Sequence, residues 1–339
     1  MTAACIVGLT GEALTGEERS FFAELDPWAF ILFSRNCKTP DQIRALTADL
    51  RDCVGRAAPV FIDQEGGRVQ RMGPPHWRAA PPAAAFGRLY QIDADRAVAA
   101  CRLNHRMLGA ELLDVGVDAD CAPVLDIPYG EADPIIGDRA FGVDPDQVIA
   151  LAKAAIEGLE ESGVAAVIKH APGHGRAECD SHHKLPRIGA PLDELRSTDF
   201  VPFRMLAPRA KMAMTAHVVL ESVDSRRPAT TSPKVMDEIV RGEIGFDGLV
   251  MTDDIEMKAL SGPMQDRTRD SLAAGCDVVL HCSGGMKGMR AMAEEMIALS
   301  GRALERAQAA QPPAPGEALD MDAARRELTE LMAPLEKAA

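Results

Sequence analysis

The sequence of 339 residues has little of what marks a membrane-bound or exported protein. No apolar run approaches the roughly 20 residues that a membrane span requires. The first ten residues, Met1 to Thr10, lack the basic start and the long apolar stretch of a signal peptide. We therefore expect a cytoplasmic protein that does not use a membrane as its partner.

The sequence also lacks closely spaced cysteine pairs and an excess of positive charge. Its eight cysteines never form a C-x-x-C pair, so that neither a zinc site nor a redox motif is indicated. Several lie in apolar strand-like runs, which suits reduced and buried thiols. The net charge of -14 argues against nucleic acid as the main partner. We expect neither a metal nor a disulfide framework nor a nucleic-acid partner.

Short apolar runs alternate along the chain with longer stretches of helical period. A strand followed by a helix about eight times predicts a closed parallel barrel, the (β/α)8 or TIM-barrel fold. An open doubly wound sheet stays as the alternative, because a count of strands does not prove closure. The eight predicted strands are Ala4–Leu9, Ala29–Phe33, Val60–Asp63, Ala119–Val124, Val164–Lys169, Lys211–His217, Gly248–Thr252 and Asp277–Cys282.

Local signals bracket the helices and divide the chain. Thr15, Thr39 and Asp144 are predicted to cap helix starts, and Gly116 and Gly163 to follow helix ends. Residues 1–300 are predicted to form one barrel, and residues 301–339 a linker and a C-terminal helix packed on it. An alanine-, glutamine- and proline-rich run up to residue 316 indicates the linker, and the last helix is expected at about residues 322–335.

Ionisable residues gather at the predicted strand ends. In a (β/α)8 barrel the carboxyl ends of the strands form the rim that carries the active site. A random scatter of charge would rarely place so many ionisable residues at matching positions. They are Asp63 at strand three, Asp126 and Arg139 after strand four, Lys169 and His170 at strand five, His217 at strand six, Asp253 at strand seven and His281 at strand eight.

The segment from Lys169 to Pro186 carries four of the eight histidines in a loop rich in glycine and proline. Within it, Asp180 precedes His182 by two residues. A carboxylate at this spacing can accept a hydrogen bond from one ring nitrogen and leave the other free to give or take a proton. Metal ligation, or a solvated turn, is the alternative interpretation.

Asp253 directly follows an apolar strand, which aims its carboxylate into the predicted pocket. Displacement at the anomeric carbon of a sugar needs one carboxylate to attack while a second group protonates the leaving oxygen. Asp253 supplies the attacking group and His182 the proton, although a histidine acid departs from the usual pair of carboxyls. Asp253 could instead cap a helix, a role for which Asp254 is the better candidate.

Asp63 and Arg71 flank two glycines, Gly66 and Gly67, which allow the backbone to turn sharply under a ligand. The Asp63 carboxylate could accept hydrogen bonds from sugar hydroxyls, and Arg71 could donate to them. The glycine pair alone predicts no more than a turn.

Together these segments resemble glycoside hydrolase family 3, and specifically its single-domain β-N-acetylglucosaminidases. The combination of a Lys-His start with a downstream Asp-Ser-His marks that branch rather than the β-glucosidases of the family. The matching segments span nearly the whole barrel: residues 63–71, 122–126, 137–139, 169–170, 172–175, 180–182 and 252–255.

The resemblance implies a retaining mechanism through a covalent glycosyl-enzyme. Asp253 then matches the nucleophile, His182 the acid/base and Asp180 its partner. The resemblance further implies that five residues hold the sugar hydroxyls in the −1 subsite: Asp63, Arg71, Arg139, Lys169 and His170.

The resemblance also implies a cytosolic enzyme that needs no metal or other cofactor and acts in the recycling of bacterial cell-wall fragments. The expected substrate is a small saccharide or muropeptide, N-acetylglucosaminyl-1,6-anhydro-N-acetylmuramic acid with or without its stem peptide. An aromatic content of 4% agrees with a small pocket that removes one terminal sugar, since a long glycan would need more stacking surfaces.

Two positions depart from the family pattern. Ala171 stands where an aromatic or larger apolar residue often follows the Lys-His pair, and Arg176-Ala177 replaces a common Asp-Thr pair. Neither position carries the proton or the nucleophile, so the departures bear on loop packing and on leaving-group preference.

Three other functions stay open at this point. A metal-dependent hydrolase on the same barrel would use His170, His174, His182 and Asp253 as ligands. A phosphorolytic variant would replace water by phosphate in the second step. A non-catalytic sugar-binding protein would need neither Asp253 nor the Asp180–His182 pair.

Overall fold

Eight parallel strands close into a barrel in a computed structural model that describes residues 1–130, 135–181 and 183–338. Closure is made by the first and last strands, which pair in parallel with Cys5 opposite Val279. The open doubly wound sheet is thereby excluded. The strands are β1 Ala3–Val7, β2 Pro27–Leu32, β3 Val60–Ile62, β4 Ala119–Asp120, β5 Ala165–Ala171, β6 Met212–Thr215, β7 Leu249–Asp254 and β8 Val278–His281.

All eight predicted strands are present, and the differences lie at their ends. β4 stops at Asp120, four residues earlier than predicted, and Val124 pairs with Lys169 only as an isolated bridge. Pro123 contributes to this early end, because proline has no N–H for a ladder hydrogen bond. β5 and β7 continue two residues further than predicted, to Ala171 and Asp254.

Helices connect the strands and cover the outside of the barrel. Two short ribbons lie beside it, one antiparallel (Gln64–Gly66 with Val69–Gln70) and one parallel (Arg187–Ile188 with Val219–Leu220). Single turns of 3-10 helix lie at Ser34–Asn36, Gly137–Arg139 and Ala229–Thr231, and a π-type helix spans Val235–Glu243. The α-helices are α1 Gly16–Leu25, α2 Pro40–Val54, α3 Ala83–Tyr90, α4 Ala94–Asp114, α5 Pro145–Glu161, α6 Leu192–Ser197, α7 Phe200–Leu206, α8 Met264–Ala274, α9 Met286–Ala293, α10 Gly301–Ala309 and α11 Met321–Ala338.

The predicted helix caps are confirmed. The Thr15 hydroxyl accepts a hydrogen bond from the backbone N–H of Glu18, whose carboxylate accepts from the N–H of Thr15 in return. This reciprocal pair satisfies two of the free N–H groups at the start of α1. Gly116 and Gly163 follow α4 and α5 with φ of 78° and 90°, values that favour glycine.

The core has two layers. Side chains of alternate strand residues, among them Ile6, Phe61 and Met251, fill the inside of the barrel, and a larger layer packs between the strands and the helices. Full burial of a side chain of this size contributes about 1.5–3 kcal/mol to the stability of the fold. The inside of the barrel is therefore a packed core rather than a channel.

The C-terminal segment differs from its prediction in one element. Residues 301–309, expected as the start of a linker, form α10, and Ala307 and Ala310 pack into the cluster of side chains inside the barrel. Alanine at these two positions allows a close approach to the barrel end, a tertiary contact that the local composition does not signal. The final helix, α11, packs on α4. Within the described residues, no helix combines the length and apolar character needed to cross a bilayer.

Candidate active site

A pocket of about 350 Å³ opens at the rim formed by the carboxyl ends of the strands. This volume lies near the lower end of the range of about 300–1,000 Å³ for small-molecule sites. Its lining combines charged and apolar side chains. Its lining comprises Ile31, Phe33, Asp63, Arg68, Val69, Arg71, Ile135, Arg139, Lys169, His170, Met214, Asp253, Asp254, Leu280 and Cys282.

Lys169 is the centre of a buried ionic network beside the pocket. Its Nζ lies 2.9 Å from Asp63 Oδ1 and 2.7 Å from Glu65 Oε1. Arg71 Nη2 donates to the other oxygen of Asp63 at 3.0 Å. Arg139 holds Glu65 with two parallel hydrogen bonds of 2.8 Å. The network is rigid because every carboxylate in it is held by two cations.

The network fixes the protonation states of its members. Burial alone would raise the pKa of Asp63, but Lys169 and Arg71 outweigh it and hold that pKa well below its usual value. In the same way, Lys169 and Arg139 overcome the effect of burial and lower the pKa of Glu65 to about 2. Both carboxylates are therefore ionised at neutral pH and can accept hydrogen bonds from hydroxyl groups.

The hairpin of residues 64–70 brings Asp63, Glu65 and Arg71 to this side of the pocket. Gly66 adopts a φ of 92°, and a Cβ there would lie 2.4 Å from the carbonyl oxygen of Pro81, so that glycine is required. The buried side chain of Gln64 accepts hydrogen bonds from the N–H groups of Arg71 and Met72 and donates to the carbonyl of Met72. The glycine pair predicted as a turn thus forms the hairpin.

His170 also lines the pocket, and Asp126 fixes the orientation of its ring. Its Nδ1 lies 2.6 Å from Asp126 Oδ2, and the other oxygen of Asp126 accepts from the N–H of His174 at 2.7 Å. Burial would raise the pKa of Asp126, but the two imidazoles lower it. The Nδ1–H of His170 is thus used by an ionised carboxylate, and Nε2 is the nitrogen left to meet a ligand.

Asp253 lies at the end of β7 and lines the pocket together with Asp254. Burial would raise the pKa of Asp253, but His217, His170, the N–H of Asp254 and Lys169 together lower it. The N–H of Asp254 donates to Asp253 Oδ1 at 2.8 Å. Asp253 is therefore an ionised and oriented carboxylate, as a nucleophile requires.

The prediction that Asp254 caps a helix is wrong, because the next helix starts only at Met264; the Asp254 carboxylate caps a turn instead. Its Oδ1 accepts from the N–H of Glu256 at 3.1 Å and from the N–H of Cys282 at 3.2 Å. The second hydrogen bond ties the end of β7 to the end of β8. Burial, with the nearby charges of Glu256 and Asp253, raises the pKa of Asp254 to about 7.

The segment of residues 172–186, which follows β5 and is called here the β5 loop, carries two of the predicted catalytic residues. His182 lies outside the described residues. Asp180 is described, and its Oδ2 lies 3.8 Å from Nε2 of His183. The predicted pairing of Asp180 with His182 stays a prediction.

Arg176 anchors the start of the β5 loop. Its guanidinium forms 2.7 Å ion pairs with Asp199 and Glu194, and its Cζ lies 3.9 Å from the centre of the Tyr129 ring. Arg176, which departs from the family pattern, thus forms a fixed contact between the β5 loop and the α6–α7 region.

Sequence reasoning missed several residues of the pocket, above all Glu65. The sequence motif contains Glu65, yet nothing in its spacing shows that it bridges two cations. Phe33 was also missed, since it follows β2 as an ordinary apolar residue; the guanidinium carbons of Arg35 and Arg71 lie 4.9 and 5.3 Å from its ring centre. Arg68 and Cys282 line the pocket as well.

Two histidines of the metal hypothesis, His170 and His174, have other contacts. His170 is bound to Asp126, and His174 Nε2 lies 3.2 Å from Ser181 Oγ. Over residues 1–130, 135–181 and 183–338, no group of three or more His, Cys, Asp or Glu side chains has an arrangement that could hold a metal ion.

Comparison with known proteins identifies relatives of this barrel and pocket. The family model described as the glycosyl hydrolase family 3 N terminal domain matches residues 13–309. A beta-hexosaminidase of Alkalilimnicola ehrlichii is 41% identical over 284 residues, which cover 82% of this chain and 80% of that protein. A beta-hexosaminidase of Stenotrophomonas maltophilia is 37% identical over 305 residues, which cover 89% and 88%. NagZ from Neisseria gonorrhoeae in complex with N-trifluoroacetyl-D-glucosamine superposes with a TM-score of 0.89 at 32% identity, over 98% of each chain.

A closed (β/α)8 barrel with an ionised carboxylate beside a polar network at its rim, and with these relatives, defines a glycoside hydrolase. The chain belongs to glycosyl hydrolase family 3. Within that family it belongs to the group of the beta-hexosaminidases.

Proposed function

We propose that the protein is a retaining exo-β-N-acetylglucosaminidase that hydrolyses terminal β-linked N-acetylglucosamine. The observation that carries the proposal is the position of Asp253, an ionised carboxylate that lines a pocket of about 350 Å³ together with the charged network around Lys169. A pocket of this size suits one sugar ring, and the network suits its hydroxyl groups.

In the first step the Asp253 carboxylate attacks C1 of the sugar, and the bond from C1 to the leaving oxygen breaks. A covalent glycosyl-enzyme forms, which water then hydrolyses with retention of the β configuration. Three features support this role for Asp253: its lowered pKa, the orienting N–H of Asp254 and its place at a rigid strand end.

His182 is proposed as the acid/base and Asp180 as its partner. Protonated His182 gives its proton to the leaving oxygen in the first step, and neutral His182 takes a proton from water in the second. The support comes from the Asp180-Ser-His182 sequence and from membership of the family, since His182 lies outside the described residues.

The sugar hydroxyls are proposed to bind the pocket's charged groups. Asp63 would accept from them, while Arg71 and the third N–H of Lys169 would donate to them. Arg139 faces Glu65 with two of its nitrogen atoms, so its contribution is to hold Glu65 as much as to reach the sugar. His170 would meet the sugar through Nε2.

The proposed substrate is N-acetylglucosaminyl-1,6-anhydro-N-acetylmuramic acid, with or without its stem peptide, and the proposed role is peptidoglycan recycling in the cytoplasm. The family relationship supports this substrate class. The eight cysteines are free thiols, which agrees with a reducing compartment.

The first experiment compares turnover of a chromogenic β-N-acetylglucosaminide with that of the matching β-glucoside. We expect turnover of the first substrate and little of the second. Asp253→Ala should reduce turnover about a thousandfold or more. Asp224→Asn, a change in a surface turn outside the pocket lining, is the control and should leave turnover unchanged. Activity retained by Asp253→Ala would overturn the nucleophile assignment.

A fluorinated slow substrate that traps the glycosyl-enzyme should label Asp253, and label on another side chain would contradict the mechanism. Product analysis in phosphate buffer distinguishes hydrolysis from phosphorolysis, since release of the sugar 1-phosphate would contradict hydrolysis.

The acid role of His182 has a separate test. His182→Ala should slow the disaccharide far more than an aryl glycoside with a good leaving group, because only the disaccharide needs protonation of its leaving oxygen. Equal losses on the two substrates would contradict the acid role.

A further inference from the structure

Behind the nucleophile lies a buried chain of hydrogen bonds, formed by Thr215, Thr230, His217 and the backbone carbonyl of Asp254 and called here the His217 relay. The hydroxyl oxygens of Thr215 and Thr230 lie 2.8 Å apart, and Thr230 Oγ1 lies 2.7 Å from His217 Nδ1. His217 Nε2 lies 3.0 Å from the carbonyl oxygen of Asp254. The side chains of Thr215, Thr230 and His217 are fully buried.

The direction of each hydrogen bond in the relay follows from the acceptor at its end, the carbonyl oxygen of Asp254. A carbonyl oxygen can only accept, so His217 Nε2 must carry a hydrogen. Burial lowers the pKa of His217 more than the nearby Asp253 raises it, and the ring is therefore neutral at neutral pH. Its charge acts on Asp253 only in the more acidic range in which that carboxylate titrates. In a neutral ring with hydrogen on Nε2, Nδ1 accepts. The Thr230 hydroxyl then donates to Nδ1 at 2.7 Å in preference to the Ala216 carbonyl oxygen, which lies further away at 3.2 Å, and it accepts from the Thr215 hydroxyl.

The relay ends on the residue that orients the nucleophile. Asp254 is held at its carbonyl by His217 and at its carboxylate by the N–H groups of Glu256 and Cys282. With Asp254 fixed in this way, its N–H points to Asp253 Oδ1 at 2.8 Å. A shift of the Asp254 carbonyl would tilt the peptide units on both sides of this residue.

We propose that His217 is a positioning residue for the nucleophile and that the two threonines hold it in the tautomer that donates to the Asp254 carbonyl. The proposal rests on the proposed role of Asp253 as nucleophile. The relay acts on the carboxylate that attacks C1, whereas the charged network around Lys169 contacts the sugar. Disturbing the relay should therefore change the rate of covalent bond formation and leave sugar binding nearly unchanged.

The test compares two substitutions at Thr230 that separate its hydroxyl from its methyl group. Thr230→Val keeps the shape and removes the hydroxyl, whereas Thr230→Ser keeps the hydroxyl and removes a methyl. We expect Thr230→Val to slow labelling of Asp253 by the fluorinated substrate about tenfold, with KM within about twofold of the wild type. Thr230→Ser should stay within about threefold in both quantities.

Thr268→Val is the matched control, because Thr268 is a buried threonine of α8 whose hydroxyl donates to the Met264 carbonyl of its own helix. It should label at the wild-type rate. Thr230→Ser as slow as Thr230→Val would show that Thr230 acts by packing and would overturn the relay. A wild-type labelling rate in Thr230→Val would overturn it too.

Substitution of the histidine itself gives an independent readout. His217→Gln places an amide N–H near the position of Nε2, and His217→Asn places one near Nδ1. The relay predicts that His217→Gln retains more labelling rate than His217→Asn, and the reverse order would contradict it. Nitrogen NMR of histidine-labelled protein at about pH 8 should show a neutral His217 ring with hydrogen on Nε2.

These outcomes are distinguishable from a failure of the proposed function. If the wild-type protein neither turns over the β-N-acetylglucosaminide nor takes up the label, the proposed function fails. If the wild type is labelled at Asp253 and the Thr230 pair behaves alike, only the relay fails.

Discussion

Glu65 shows how one carboxylate can organise two cations that are both proposed to meet the substrate. It accepts from Lys169 on one side and takes two hydrogen bonds from Arg139 on the other. The sequence predicts these cations as separate sugar ligands, one at the end of β5 and the other in the turn Gly137–Arg139. The structure joins them through a residue of the hairpin that follows β3.

Substitution of Glu65 should therefore affect both binding and stability. We expect Glu65→Gln to raise KM about tenfold or more, because Lys169 loses an anionic partner and can move toward Asp63. The free energy of unfolding should fall by up to about 3–5 kcal/mol, since buried cations lose their counter-charge. Steady-state kinetics and urea denaturation measure the two effects. Glu12→Gln, a surface change in a pair with Lys38, should alter neither, and an unchanged KM in Glu65→Gln would contradict the organising role.

Asp120 is a buried acid that the mechanism does not use. It ends β4, and its Oδ1 accepts from the N–H of Gln64 at 2.9 Å. Burial raises the pKa of Asp120 by more than the Gln64 N–H and Lys169 lower it, and the nearby charges of Asp63 and Glu65 add smaller raising effects, so that the pKa is about 7.

The raised pKa predicts how Asp120 affects stability at different pH. The folded protein holds the proton more tightly than the unfolded chain, so the stabilising effect of protonated Asp120 is complete below about pH 4. This effect falls as the pH rises from about 4 to 7, and it is lost above about pH 7. Asp120→Asn cannot ionise and keeps the acceptor for Gln64. Urea denaturation should show the variant to be more stable than the wild type at about pH 8 and nearly equal to it at about pH 4. A deficit of the same size at both pH values would argue against a protonated Asp120.

At the scale of elements, the β5 loop is tied to its surroundings by Arg176. The ion pairs with Asp199 and Glu194 join the start of the loop to α6 and to the residue before α7. Asp199 is buried, so the pair is protected from solvent and holds its geometry. The proposed acid/base His182 lies six residues further along the same loop.

Loosening this anchor should affect the step that needs the acid. We expect Arg176→Gln to slow a disaccharide substrate about tenfold more than an aryl glycoside with a good leaving group. Arg187→Gln is the control, because Arg187 belongs to the short ribbon that follows the loop and pairs with the exposed Glu221. It should change both rates by less than about twofold. Parallel losses on both substrates in Arg176→Gln would show that the anchor does not act through the acid.

The ends of the helices and strands show which of them local sequence signals were sufficient to predict. Helix caps at Thr15, Thr39 and Asp144 could be predicted because the capping side chain and its partner lie within a few residues of each other. The helix α10 could not, since it depends on contacts with distant parts of the chain. The early end of β4 was missed although Pro123 is a local signal for it.

At the scale of the whole molecule, α10 covers the end of the barrel away from the pocket. Ala307 and Ala310 pack into the same cluster as Trp28, Ile6 and other interior residues. Arg306 holds the helix in place through hydrogen bonds with Asp247 and Asp277. The C-terminal segment therefore completes the barrel core rather than merely following it.

A charge on the covered face of α10 should destabilise the whole barrel. Ala307→Asp places a carboxylate among apolar side chains, and we expect the free energy of unfolding to fall by about 3 kcal/mol or more. Ala309→Asp, on the exposed face of the same helix, should change it by less than about 0.5 kcal/mol. Urea denaturation followed by tryptophan fluorescence measures both variants, since Trp28 lies in the affected cluster. Equal stability of the two variants would show that α10 is not part of the core.

The fold could be predicted from sequence because parallel strands covered on both faces give apolar runs that stand out from amphipathic helices. Closure could be expected but not proven, since it depends on the pairing of Cys5 with Val279 across the whole chain. The pocket residues at strand ends could be placed by the same logic. Glu65 and the His217 relay could not, because their roles come from contacts between elements. The catalytic assignments of Asp253, His182 and Asp180 stay predictions that the experiments above test.

Within the part of the chain that the structure describes, the filled interior and the helix across the far end close that end of the barrel, and the pocket opens at the opposite rim. In the proposed reaction, the leaving group departs through the same opening by which water enters for the second step. Released N-acetylglucosamine should use that opening as well and compete with substrate for the pocket. The reaction rate should therefore fall before the substrate is consumed. At high concentration, other sugars should react with the proposed covalent intermediate in place of water. New disaccharides should then accumulate.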